Sequence, residues 1–301
     1  MSKLSINQFE VLRYLERHSD LKITQRDLAK QLDLSLGTIN STVKELDELN
    51  YVKYDETLLL TLKGLKALEP YRVKRAVFLA AGFGSRMIPL TFNTPKPLIK
   101  VDGKPMIEYL LDAVVKAEIK EIYIIVGYLG DYFEVLAKKY DNLHFIYNDL
   151  YNDANNISSA LVAKDYLQNA YVLESDLVLY NPDIIQKYEY HSCFLGKKVK
   201  RTDDWCFTVK KDIIVEEKVG GTDCYHMYGI SYYDENDGKQ LAKDIEKVFN
   251  MPGGKEKYWE QVPLVYKKKN YKIHIKPCKE GDIIEIDSFK ELKEIDKTYN
   301  I

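Results

Sequence analysis

The chain has 301 residues, and at roughly 100–200 residues per domain that length suits two domains, or a small module joined to a larger one. Its 46% hydrophobic and 30% charged residues are enough for packed cores and a hydrated surface, which excludes a disordered or fibrous chain. Forty-four Lys and Arg against 46 Asp and Glu leave a formal charge of -2, so no global field recommends nucleic acid or an anionic membrane, and any basic patch has to be local.

In residues 6–18, Ile6, Phe9, Val11, Leu12 and Leu15 mostly recur at three- and four-residue intervals, which predicts an amphipathic helix. Thr24 with Asp27 reads as an N-cap and its acidic partner, opening a short helix through Leu28, Ala29 and Leu32. A third helix starts near Ser35, with Ile39, Val43, Leu46 and Leu49 on one stripe and Thr38, Asn40, Ser41 and Lys44 on other faces. Residues 51–61 read as a two-stranded ribbon turning at Asp55 and Glu56, and LTLKGLKAL resumes a helix. Three helices and a ribbon, over residues 5–68, resemble the winged helix-turn-helix domain of bacterial transcription regulators. That resemblance implies Ser35, Thr38, Asn40, Ser41 and Lys44 facing a DNA major groove, with Lys53 near phosphate. Against it, the eleven cations and eleven carboxylates of residues 1–72 balance, and the wing tip is acidic. DNA on one side and a protein or intramolecular partner on the other both stay open.

The segment EPYRVKR joins this module to a second pattern, and the boundary falls near residue 72, giving modules 1–72 and 73–301. Strand-like stretches at 76–80, 122–127, 144–147 and 170–173 alternate with helical ones at 107–117, 132–140 and 158–166. The alternation predicts an α/β fold with a mostly parallel sheet and helices on both faces. Ligands of such sheets bind at the carboxyl ends of the strands, here the loops after Ala80, Val126 and Leu173.

The first of these loops belongs to LAAGFGSRMIPLTFNTPKPL, residues 79–98. Gly82 and Gly84 alone need be no more than a tight turn. No G-K-[ST] follows and the third glycine of a dinucleotide fingerprint is missing, so ATPase and dehydrogenase readings lose support. In combination, however, backbone N–H groups at residues 82–85 approach phosphate, Arg86 adds a fork of donors, and Lys96 adds a point cation ten residues later. Together they form a triphosphate cradle.

The whole string resembles L-A-A-G-x-G-S-R-x-x-P-L-T-x-x-x-P-K-P-L, the signature of nucleotidyltransferases that activate sugar phosphates and choline phosphate. The similarity continues through KPMIEY and IYIIVGY, covers about residues 73–301, and is greatest to the compact phosphocholine cytidylyltransferase branch. It implies a Rossmann-like, GT-A-like domain that joins CMP from CTP to phosphocholine or a related amine-bearing phosphate or phosphonate, with release of pyrophosphate. By this resemblance Ala81, Gly82, Gly84 and Ser85 contact the nucleotide, and Asn155 and Asn156, in NDANNISSAL, contact the pyrimidine, although N-N-x-S is also a good helix cap. Arg86 holds the leaving phosphates, Lys96 sits between the reacting phosphates, and Asp176 and Asp287 hold Mg²⁺. Glu174 and Glu285 are the neighbours that would substitute in a shifted register.

For the acceptor, the resemblance implies aromatic faces around an ammonium: Trp205, and in KYWEQV Tyr258 and Trp259, with Glu260. One departure is Ile284, where an aromatic wall is expected, so phosphoethanolamine and aminophosphonates stay open beside phosphocholine. Plain core packing is the other role open to both tryptophans. A sugar 1-phosphate acceptor, or a transcription regulator with a nucleotidyltransferase-like sensor, are the rival readings. The opening MSKLSINQFEVL has no apolar signal core and no window approaches the ~18 apolar residues of a membrane span, so a cytoplasmic protein without membrane contact is expected. Cys193, Cys206, Cys224 and Cys278 form no C-x-x-C pair and suit scattered reduced thiols. A homodimer stays open.

Overall fold

The computed structural model describes residues 3–55 and 57–300. The chain divides into two compact units: one takes in the chain up to Arg72 together with Tyr188–Tyr190, and the other the remainder.

The first unit is built from capped helices. α1 (Ile6–Arg17) starts at Ser5 in a reciprocal box with Gln8, and α2 (Gln25–Gln31) at Thr24 in the same arrangement with Asp27. α3 (Leu36–Glu48) is capped by the Ser35 hydroxyl, which accepts from the Thr38 N–H. Each cap gives a partner to N–H groups that a helix start leaves without one. The buried faces, Phe9, Val11, Leu12 and Leu15, then Leu28, then Ile39, Val43 and Leu46, meet in one core. β1 (Val52–Asp55) pairs antiparallel with β2 (Thr57–Leu60), and α4 (Leu62–Leu68) closes the unit. Glu56, half of the expected turn, lies outside the described residues.

Two positions depart from the expected stripes. Ile6 is 45% exposed because it opens α1, and Leu49 is 36% exposed because the helix has ended at Glu48 and Leu49 is its cap. The boundary near residue 72 also misses a piece: Tyr188 is fully buried in this core, the Glu189 N–H donates to the Tyr71 carbonyl at 2.9 Å, and the Tyr190 hydroxyl donates to the Leu4 carbonyl at 2.5 Å.

The second unit contains β3 (Arg75–Leu79), the short pair β4 (Lys100–Val101) and β5 (Lys104–Pro105), α5 (Met106–Lys116), β6 (Glu121–Val126), β7 (Leu143–Tyr147), α6 (Ile157–Val162), β8 (Ala170–Glu174) and β9 (Leu177–Leu179). It continues through β10 (Cys193–Lys210), β11 (Ile213–Tyr233), α7 (Glu235–Phe249), β12 (His274–Cys278), β13 (Ile283–Glu285) and α8 (Phe289–Ile295). Among the described residues the main sheet runs β10-β12-β11-β8-β3-β6-β7. The β8, β3, β6 and β7 neighbours are parallel, and β11 joins β8 antiparallel. Ala76, Val77 and Phe78 are all buried because both faces of β3 are covered. Ala76 and Phe78 pack with α5 residues such as Ile107 and Leu110, and Val77 packs with Ile157 of α6 and Leu241 of α7.

The long antiparallel β10–β11 hairpin has no counterpart in the expected strands, and residues expected as a helix at 132–140 instead form 3₁₀ turns over Gly130–Lys138. Among the described residues no helix is long and apolar enough to cross a membrane, and all four cysteines are buried.

Candidate active site

The loop leaving β3 turns sharply at Gly84, whose φ of 67° suits glycine. A Cβ there would stand 2.9 Å from Lys96 Cβ, so the missing side chain is what lets Lys96 lie against the loop. A Cβ at Gly82 would meet nothing within 4 Å. Lys96, 9% exposed, donates from Nζ to Asp176 Oδ2 at 2.8 Å and to Asp287 Oδ1 at 3.2 Å. Burial works to lower the Lys96 pKa, but the charges of Asp176 and Asp287 outweigh it and the pKa is raised. Arg86 grips Asp287 with both terminal nitrogens, at 2.9 and 2.7 Å.

Two short strands bring the acids together. β9 and β13 pair antiparallel with Leu177 opposite Glu285, and the Ile286 N–H donates to the Asp176 carbonyl at 3.1 Å. Because each carboxylate lies at or beside a strand end, this pairing sets Glu174 and Asp176 against Glu285 and Asp287. One carboxylate oxygen from each of Glu174, Asp176 and Glu285 lies within 4.8 Å of the others. Asp176 Oδ1 is buried and accepts no hydrogen bond among the described residues. Burial raises Glu174 well above its ordinary value, with Glu260 and Asp176 adding to it, and burial, Asp176 and Glu174 do the same to Glu285. Gly229 makes room for this cluster, since a Cβ there would stand 2.3 Å from Glu174 Oε2. Closely spaced hard oxygens, one of them orphaned, fit a divalent cation such as Mg²⁺.

These groups open onto a cleft of about 580 Å³. Of the residues singled out in the sequence, Ala81, Gly82, Gly84, Arg86, Lys96, Asn155, Asn156, Asp176, Trp205, Glu260 and Asp287 line it. Ser85 does not: it starts a 3₁₀ turn and is exposed. Trp259 does not either. It is fully buried, stacks on Phe194 at 6.2 Å and meets Tyr233 edge-on at 6.2 Å, so it is a core residue and not a wall of an acceptor site. Its backbone N–H donates to Asn156 Oδ1 at 2.9 Å. Ile284 pairs with Val178 across the β9–β13 ribbon, is half-buried against a separate hydrophobic cluster, and supplies no aromatic wall.

Asn155 and Asn156 are both hydrogen-bonded within the protein. Asn155 Oδ1 accepts from the Asn156 N–H at 2.7 Å, its amide reaches the Glu256 carbonyl at 3.3 Å, and the Asn156 amide lies 3.5 Å from Glu174. Trp205 meets Tyr258 in a T-shaped contact at 5.8 Å, and both line the cleft. Glu260 lines it while only 3% exposed, and its Oε2 accepts no hydrogen bond among the described residues. Burial, with Glu217 adding, pushes its pKa up to about 8. Asn148, which no motif marks, also lines the cleft, and its fully buried amide donates to the hydroxyls of Ser158 and Ser159 at 2.9 and 3.1 Å. A single asparagine after a strand carries no spacing signal that would have found it.

The sequence profile of the MobA-like NTP transferase domain matches residues 76–192, and that of the MarR family matches residues 2–57. The chain is 37% identical over 228 residues to the 2-aminoethylphosphonate cytidylyltransferase of Lancefieldella rimae, across 74% of this chain and 92% of that protein. It is 31% identical over 234 residues to the choline-phosphate cytidylyltransferase of Streptococcus pneumoniae, across 75% of this chain and 100% of that protein. A solved structure of the CTP:phosphocholine cytidylyltransferase from Streptococcus pneumoniae matches with a TM-score of 0.70 at 28% identity, over 75% of this chain and 99% of that one.

Proposed function

Because the chain belongs to the cytidylyltransferases of the NTP transferase superfamily, with a MarR-family module at its amino end, we propose that its second unit transfers CMP from CTP to a small amine-bearing phosphate or phosphonate. An oxygen of the acceptor attacks the α-phosphorus, the α–β phosphoanhydride bond breaks, and pyrophosphate leaves in line. The acceptor is already anionic near neutral pH, so no general base is needed. The protein's task is to bring two anions together and to stabilise charge.

The observation that carries this reading is Lys96, held at 2.8 Å from Asp176 and 3.2 Å from Asp287 in the cleft that the loop after β3 opens onto. In the proposed reaction Lys96 steadies the approaching phosphates, and Arg86 exchanges Asp287 for the leaving phosphates. Ala81, Gly82 and Gly84 give the triphosphate a close backbone surface, and Asn155 and Asn156 face the pyrimidine. Asp176 and Asp287, with Glu174 and Glu285 beside them, are the residues that would hold Mg²⁺. Bound there, the cation offsets the charge that builds at the α-phosphate. Trp205, Tyr258 and Glu260 receive the acceptor's amine.

A pyrophosphate-release screen tests the reading: four nucleoside triphosphates against choline phosphate, ethanolamine phosphate, 2-aminoethylphosphonate and hexose 1-phosphates. Turnover confined to CTP and amine-bearing acceptors supports it, and a preferred hexose 1-phosphate rejects it.

The amino-terminal unit supports a second activity. Asn40, Ser41 and Lys44 are exposed on α3, the helix that a helix-turn-helix lays in the major groove, and Lys53 is exposed on the ribbon. With balanced charge over residues 1–72, binding to DNA rests on groove contacts more than on phosphate. Selection from a random duplex pool, followed by a salt titration, tests this: no enriched sequence rejects it, and so does a salt slope typical of six or more phosphate contacts.

A further inference from the structure

Resting on the cytidylyltransferase reading above, we infer that Tyr128 is a positioning residue for the triphosphate: it holds the loop after β3 in the shape that presents backbone N–H groups to phosphate. Tyr128 does not itself line the cleft, and neither does Phe83 of the loop. An effect of these two side chains on the nucleotide is therefore passed through the loop backbone.

That backbone has few bonds of its own. The N–H groups of Gly82, Phe83 and Gly84 donate to nothing among the described residues. Three such donors serve a phosphate best when they already point at it, because a loop that has to be ordered on binding costs affinity.

Tyr128 holds the loop at three places. Its backbone N–H donates to the Ala81 carbonyl at 3.1 Å, its ring meets that of Phe83 at 4.4 Å between centroids, and its hydroxyl donates to the Thr91 carbonyl at 2.8 Å. The first fixes where the loop begins and the last where it ends. A trans peptide points its C=O and N–H in opposite directions, so the bond to the Ala81 carbonyl turns the Gly82 N–H the other way, and Gly82 lines the cleft. Thr91, fully buried, passes the restraint on: its Oγ1 donates to the Gly84 carbonyl at 3.1 Å, which orients the peptide that follows Gly84.

The backbone beside Tyr128 is strained. Leu129 has a φ of 51°, in the left-handed region that leucine avoids, and the Gly130 N–H closes the turn on the Gly127 carbonyl at 3.1 Å. Such a conformation persists where its surroundings over-determine it. Here the turn ends β6, the parallel neighbour of β3, and it lays Tyr128 against the loop that β3 feeds.

The test is calorimetry on the intact chain with Mg²⁺ and no acceptor, comparing CTP with CMP, which lacks the β- and γ-phosphates. Tyr128→Phe removes the hydroxyl and keeps the ring and the N–H, and Phe83→Ala removes a ring that is 39% exposed and so opens no core. In Tyr128→Phe the Kd for CTP is expected to rise about three- to tenfold, the equivalent of one ordinary hydrogen bond, with the Kd for CMP unchanged. Phe83→Ala should do the same by less. In steady state the KM for CTP should rise while that of the acceptor stays. Equal losses for CTP and CMP mean a general loosening of the cleft and overturn the inference, and so does unchanged CTP binding in Tyr128→Phe. Should that variant fail to fold by circular dichroism, the same comparison in Phe83→Ala decides. A wild type that binds no CTP rejects the cytidylyltransferase reading as well, whereas the other adverse results leave that reading standing.

Discussion

Replacing Lys96 by Met keeps most of the buried stem and removes the ammonium that lies between Asp176 and Asp287. Breaking a fully buried ion pair by removing one partner costs about 3–5 kcal/mol. Here the Asp176 and Asp287 side chains keep 22% exposure and Arg86 still holds Asp287, so screening reduces the expected loss to about 1–3 kcal/mol. For a unit of this size that is a fall in Tm of very roughly 2–10 °C. The loss should grow with pH. Glu174 and Glu285 are held above the usual carboxylate range, first by burial and then by neighbouring carboxylates, so at low pH they are protonated and the cluster tolerates a missing cation. As pH rises they ionise beside Asp176 with nothing to offset them. Added Mg²⁺ should then raise the Tm of the variant more than that of the wild type, because the cation enters without displacing Lys96. Differential scanning fluorimetry from pH 5 to pH 8.5, with and without Mg²⁺, reads all three effects. A variant as stable as the wild type across that range, with no larger response to Mg²⁺, refutes the assignment of Lys96 as the counter-ion of this cluster.

Asp176→Asn and Asp287→Asn should each lower turnover by on the order of 10²-fold or more with the fold intact, since each removes a charged ligand from the proposed cation site. Near-normal Mg²⁺-dependent turnover in steady-state assays would misassign that residue. Burial raises Glu217 from an ordinary 4.5 to about 7, so the folded chain holds this proton more tightly than the unfolded one. Stability is therefore lost as pH climbs from the unfolded value through the folded one. Glu217→Gln should gain on the order of 1–3 kcal/mol at pH 8 and almost nothing at pH 4, measured by urea denaturation; equal effects at both pH values would contradict this. Trp259→Ala should cost about 3–5 kcal/mol of stability as a core deletion, while Trp205→Ala should instead raise the acceptor KM by an amount equivalent to about 1–2 kcal/mol. The opposite pattern in melting and kinetic data would restore Trp259 to the acceptor site.

Where a local rule sufficed, the sequence was legible. Ser35 and Thr24 are caps because their hydroxyls meet an N–H three residues on, and the apolar runs at β3, β6 and β8 are buried on both faces. The cradle was legible because Gly84, Arg86 and Lys96 lie on one continuous loop. What escaped depends on distance in sequence. Glu285 reaches Asp176 only through the β9–β13 pairing, and Gly229 is required because Glu174 occupies the place of its side chain. Trp259 follows Tyr258 directly, but one side chain turns to the cleft and the next to the core, and no composition rule separates the two. Tyr188–Tyr190 escaped for a related reason, since three residues have no period to read.

The most direct test of CMP transfer is to see the product. The purified 301-residue protein is incubated with CTP, Mg²⁺ and 2-aminoethylphosphonate or ethanolamine phosphate, and the mixture is followed by ³¹P NMR and mass spectrometry. The expected result is a new species joining CMP to the acceptor through its phosphorus, appearing together with pyrophosphate and abolished by EDTA or by Asp176→Asn. Pyrophosphate without a CMP-linked acceptor, or a product formed only with a hexose 1-phosphate, would contradict it.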